Sequence, residues 1–75
     1  MPNSKNVHVI PHNGHWDVRR EGSTQPLSVH DTQAGAFEAA RDAAKRSHGE
    51  LLVHGENGRI RERNTYGPDP YPPKG

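Results

Sequence analysis

The stretch NVHVIPHNGHWDVRR, residues 6–20, decides the architecture. Asn13-Gly14 at its centre is a preferred pair for a two-residue type I′ turn, in which both central residues take positive φ. A turn at that place sets the register of the flanking strands. His12 falls opposite His15, Pro11 opposite Trp16, Val9 opposite Val18 and Val7 opposite Arg20. Side chains alternate across a strand. One face therefore collects Val7, Val9, Trp16 and Val18, and the other collects His8, Ile10, His12, His15, Asp17 and Arg19. The register comes from the turn and the faces come from the side chains. Their agreement marks a folded hairpin with one core face and one polar face.

The remaining segments extend this unit. EGSTQP (21–26) is a loop, and LSVH (27–30) offers Leu27 and Val29 at strand spacing, a short third strand. Asp31 or Thr32 can cap a helix running through QAGAFEAARDAAKRSH (33–48). Its apolar stripe is Ala36, Phe37, Ala40, Ala43 and Ala44. Small side chains let the helix lie close on a sheet, with Phe37 as the one large plug. Lys45 and Arg46 sit near the negative end of the helix dipole, and Gly49 is placed to end the helix.

ELLVH (50–54) and RIRERN (59–64) form a second strand pair joined by GENG (55–58). On a loop of two or of four residues, Leu51, Val53 and Ile60 share the core face. Leu52, His54, Arg59, Arg61 and Arg63 then share the other face. The closing segment YGPDPYPPKG (66–75) holds four of the seven prolines, which keeps it out of a sheet interior. These elements predict one α+β domain over residues 1–65. It is an antiparallel sheet of four strands, five if residues 27–30 join it, with one helix packed on one face, in the order β-β-α-β-β. Residues 66–75 follow as an extended or disordered Pro-rich tail.

Bulk composition bounds the function. A chain of 75 residues has room for one domain. Hydrophobic content of 28% is low, so folding depends on the placing of the apolar residues. The absence of cysteine excludes disulfides and thiolate metal sites and fits the cytoplasm, as does a polar N-terminus without a signal-peptide core. No apolar run approaches the roughly 20 residues that span a bilayer, so no membrane is expected. A formal net charge of +1 falls short of the basic excess typical of a non-specific nucleic-acid binder.

HVIPHNGHWDVRREGS, DTQAGAFEAARDAAK and ELLVHGENGRIRERNTYGPDPYPP together resemble a family of small bacterial proteins of unknown function, the DUF2188 family. The likeness runs from about His8 to Pro73. Its most specific pieces are HVIP, the Trp16-x-Val18 pair, LLVHGENGRIRERNTYG and the Pro-rich end. The resemblance implies a compact bacterial cytoplasmic domain, and it brings no activity and no catalytic residues with it.

Three groups of residues are candidates for function. Arg59, Arg61, Arg63 and His54 share the non-core face of the second hairpin, and Arg19 joins them if both hairpins enter one sheet. An antiparallel sheet backed by a helix can lay such a face into a DNA groove. The competing reading is a solvated charged surface that resists aggregation. His12 and His15, about 5 Å apart across the turn, are a candidate for two metal ligands, with His8 about 13 Å from His12 along the strand and too far to help. A zinc site wants three or four ligands, so exposed histidines are the plainer reading. Tyr66, Pro70, Tyr71 and Pro73 could present the tail to a protein groove, PYPP having PxxP spacing.

No nucleophile motif, metal-protease motif or phosphate loop is present, so no enzyme and no cofactor are expected. The expected function is a non-enzymatic binding or accessory module, acting through its polar sheet face or its tail on a protein partner. Nucleic-acid binding through the Arg/His-rich face is the alternative. Ile10 and Leu52 on the polar face leave room for a weak homodimer beside the monomer.

Overall fold

The structure, a computed structural model, describes residues 5–66; the tail candidates Pro70, Tyr71 and Pro73 lie outside the described residues. The elements are β1 (Val7–His12), β2 (His15–Arg20), β3 (Pro26–His30), α1 (Gln33–Ser47), β4 (Glu50–His54) and β5 (Ile60–Thr65). They form one five-stranded sheet in the order β3-β2-β1-β4-β5, with α1 lying over β1, β2, β3 and β4. Among the described residues no helix is long and apolar enough to cross a membrane.

The first hairpin has the register that its turn dictates. His12 pairs with His15, Pro11 with Trp16, Val9 with Val18 and Val7 with Arg20. Asn13 and Gly14 both take positive φ, 54° and 82°. The sheet takes the five-strand alternative, with β3 included, so the order is β-β-β-α-β-β in place of β-β-α-β-β. It corrects the expectation of an antiparallel sheet: it is mixed, and β1 runs parallel to β4 with Val7 opposite Leu51 and Val9 opposite Val53. A parallel pair needs a long crossover, and α1 supplies it. The chain leaves β3 at the far edge, crosses the face as a helix and re-enters beside β1. That places β1 at the centre, hydrogen-bonded on both sides.

The core is small and built from valines, alanines and one leucine. Val7, Val9, Val18, Leu51 and Val53 meet Ala36, Ala40 and Ala44 of α1. Every fourth residue of the helix is an alanine here, so its backbone approaches the sheet closely. Trp16 and Phe37 pack against the margins of this core and stay partly exposed. Thr32, one of two candidate caps, holds the helix start: its Oγ1 accepts a hydrogen bond from the Gly35 N–H at 3.0 Å. At the other end His48 takes the left-handed conformation expected of Gly49, with φ 57°. The N–H groups of His48 and Gly49 bond back to the carbonyls of Lys45 and Ala44.

The second hairpin departs from the expected pattern. Its loop has three residues, Glu56 to Gly58, with Gly58 at φ 86° and the Gly55 N–H bonded to the Arg59 carbonyl at 2.7 Å. An odd loop shifts the alternation by one, so Ile60 falls opposite His54. A bulge at Arg61 then restores the register, with Glu62 opposite Val53 and Arg63 opposite Leu52. Ile60 therefore does not join the core and is 49% exposed. Val29 is similarly exposed, because it is set opposite Asp17 while Ser28 and His30 face Val18 and Trp16, and Leu27, at the shift in register between β2 and β3, is exposed as well.

Candidate functional site

The helix covers one face of the sheet and leaves the other open. Strand alternation sends His8, Ile10 and His12 of β1 to this open face, with Asp17 and Arg19 of β2, Leu52 and His54 of β4, and Arg63 of β5. It is not a loose polar surface. Its side chains are tied into two networks, one at each end.

The first network centres on Asp17, which sits opposite Ile10 and is only 4% exposed. Its Oδ2 receives Arg19 Nη2 at 3.0 Å and lies 3.3 Å from His12 Nδ1. A carboxylate this deep is held by the cation beside it. The Nε of Arg19 is buried and has no hydrogen-bond partner among the described residues.

The second network joins both hairpins. His8 Nδ1 and His54 Nε2 are 2.8 Å apart, with the two rings tilted by 31°. The outer nitrogens are also engaged. His8 Nε2 lies 3.1 Å from Glu21 Oε1, and His54 Nδ1 lies 3.2 Å from the Gly58 carbonyl. Asn6 donates a further hydrogen bond to the same Glu21 oxygen at 3.3 Å. The His8 contact, then the Asn6 amide, holds the Glu21 carboxyl below the usual carboxylate range. Beside the pair is a shallow hollow of about 210 Å³, bordered by Ile10, Arg19, Arg20 and Ser23.

The sequence-expected residues are distributed unevenly over this surface. Arg59, Arg61 and Arg63 do not form one row. Arg59 lies in the turn before β5, Arg61 is the bulge residue with its aliphatic carbons against Gly55, and Arg63 reaches Glu50 at 3.6 Å. Arg19 is engaged by Asp17. His12 and His15 are opposite each other, yet their Nδ1 atoms go to different carboxylates, Asp17 at 3.3 Å and Asp31 at 3.6 Å. Tyr66 is anchored to the domain. Its N–H bonds the Gly49 carbonyl at 2.8 Å, and Lys45 Nζ sits 5.7 Å from its ring centre.

Strand parity placed His8 and His54 on one face, but nothing local in the sequence announced their contact, because it depends on β1 and β4 being neighbours in parallel. Asp17 was legible as a polar-face residue. Its burial was not, since it arises from the Ile10, His12 and Arg19 side chains around it.

Comparison with known proteins adds kinship and no chemistry. An uncharacterized protein of Bacillus subtilis (strain 168), YdaT, is 32% identical over 60 residues, which are 80% of this chain and 40% of the relative. The chain thus spans less than half the length of that curated relative. No solved structure matches. The family model of an uncharacterized protein conserved in bacteria, DUF2188, matches residues 7–66, from the first residue of β1 to Tyr66, and the chain belongs to that family.

Proposed function

We propose that this domain is a non-enzymatic binding module of the bacterial cytoplasm that engages a protein partner through the open face of its sheet. The observation that carries this reading is the one-sided packing of α1, which leaves a face whose polar side chains are already held in place by one another. Prearranged side chains lose less freedom on binding. Half-buried Ile10 lies among them and supplies an apolar centre. The cytoplasmic setting rests on the cysteine-free composition.

A protein partner is favoured over nucleic acid by how the arginines are used. Arg19 and Arg63 already face Asp17 and Glu50, and the Arg61 bulge interrupts the row that a phosphate backbone would follow. Nucleic-acid binding is the alternative, and salt separates the two, since phosphate contacts weaken steeply as salt rises.

The test is a pair of measurements on isotopically labelled protein. Amide shifts are followed while short duplex and single-stranded DNA are added at low salt, and co-purifying proteins from the native host are compared between wild type and Ile10→Arg. The expected result is no DNA-induced shift, together with a specific partner that is lost in Ile10→Arg and retained in Glu38→Lys on the exposed helix surface. Shifts on residues 8–19 and 54–63 that fade with salt, and vanish when Arg59, Arg61 and Arg63 are all changed to alanine, would replace the proposal with the nucleic-acid reading.

A further inference from the structure

We propose that His8 and His54 form a binding site for a divalent transition-metal ion of the zinc class, with His8 Nδ1 and His54 Nε2 as its two protein ligands. The argument begins with counting protons. Each neutral imidazole has one N–H and one lone pair. The Gly58 carbonyl can only accept, so its contact with His54 calls for hydrogen on Nδ1 and leaves the lone pair on Nε2. A carboxylate oxygen accepts, so the contact of Glu21 with His8 calls for hydrogen on Nε2 and leaves the lone pair on Nδ1. The two lone pairs then face each other across 2.8 Å. Any other assignment of neutral tautomers moves the conflict to Glu21 or to Gly58 and does not remove it. The arrangement is complete only with a cation between the two rings.

A proton would serve, and so would a metal ion. The surroundings also have the supports of a metal site. Metal-bound histidines hold their second nitrogen against a carboxylate or a backbone carbonyl, which fixes the tautomer and raises ligand basicity. Both kinds of support are present here, Glu21 behind His8 and the Gly58 carbonyl behind His54. Two nitrogens each about 2.0–2.1 Å from a tetrahedral ion stand roughly 3.3 Å apart, so the rings need to part by only about half an ångström. The hollow of about 210 Å³ beside the pair has room for waters to complete the shell. No group of three or more His, Cys, Asp or Glu side chains is arranged for a metal among the described residues, so the protein supplies two ligands, fewer than the three or four of a structural or catalytic zinc site, and the site is weak and completed by solvent. The charged groups around it are Glu21, Arg19 and Arg20, and the two arginines weaken it further. The pair lies on the same open face as the partner surface proposed above, with Ile10 bordering both, and zinc binding by the free domain is measured without that partner.

The test is zinc added alone to the labelled protein at slightly alkaline pH, with the imidazole nitrogens followed by long-range nitrogen–proton spectra. The expected result is that His8 Nδ1 and His54 Nε2 move on binding while the rings of His12, His15, His30 and His48 do not. His8→Gln and His54→Gln should each abolish binding. Glu21→Gln, which alters an exposed side chain and leaves both ligands in place, should weaken binding by about tenfold. If zinc leaves both rings unmoved while lowering the pH shifts them together, the pair holds a shared proton only and the metal site is wrong. If zinc moves His12 and His15 instead, the ion sits at the hairpin tip and the proposal also fails.

Discussion

Gly49 lies against the main-chain carbonyl of Lys5, so close that a β-carbon on residue 49 would overlap it. The contact joins the end of α1 to the segment entering β1. Around it, Ser47 Oγ donates to the Lys5 carbonyl at 2.7 Å, the Glu50 N–H donates to Asn6 Oδ1 at 3.0 Å, and the Tyr66 N–H donates to the Gly49 carbonyl at 2.8 Å. Glycine is required here for room, while the left-handed turn of the chain falls on His48. Gly49→Ala should therefore destabilise the domain by about 1–3 kcal/mol, the usual cost of overpacking. The upper end is expected, because the obstacle is backbone. Urea denaturation measures it, and an unchanged midpoint would mean that the Lys5 segment is free to move aside.

Removing the Asp17 carboxylate should be costly for a different reason. Asp17→Ala leaves Arg19 partly desolvated with no counter-charge. Breaking a buried pair from one side costs about 3–5 kcal/mol. Arg19 keeps 27% of its side-chain exposure, so the low end, about 3 kcal/mol, is expected. The double change Asp17→Ala with Arg19→Met should recover part of that loss, since no orphaned charge remains. A double-mutant cycle by chemical denaturation checks both, and a purely additive outcome would show that the two residues do not interact.

Glu21 gives the domain an acid-sensitive contribution. Its carboxyl is held below the ordinary value of 4.5, first by the contact with His8 and then by Asn6. A carboxyl whose pKa is lower folded than unfolded stabilises the fold above the unfolded value, and that contribution disappears as pH falls through the folded one. Wild type should accordingly be more stable than Glu21→Gln at neutral pH, and the difference should close as the pH falls below 4.5 and through the lowered folded value. Denaturant midpoints of the two proteins across that range test this. The difference is expected to be small, because the Glu21 side chain is about half exposed.

The first hairpin was legible residue by residue, since Asn13-Gly14 and the alternation around it are local. The helix was legible too, in its cap and its alanine stripe. The second hairpin was only partly so. GENG permits several loop lengths, and an odd one turned Ile60 away from the core until the bulge at Arg61 restored the pattern. The row of three arginines dissolved for the same reason.

Local sequence by itself determined the strands, the helix and, in the first hairpin, which side chains share a face, because turn geometry and side-chain alternation act over a few residues. Only the tertiary structure decided that β4 lies parallel to β1. That pairing follows from α1 crossing the sheet and burying Val7, Val9, Leu51 and Val53 together. The contact of His8 with His54, separated by 46 positions, and the burial of Asp17 follow from packing between distant segments, which no local pattern encodes.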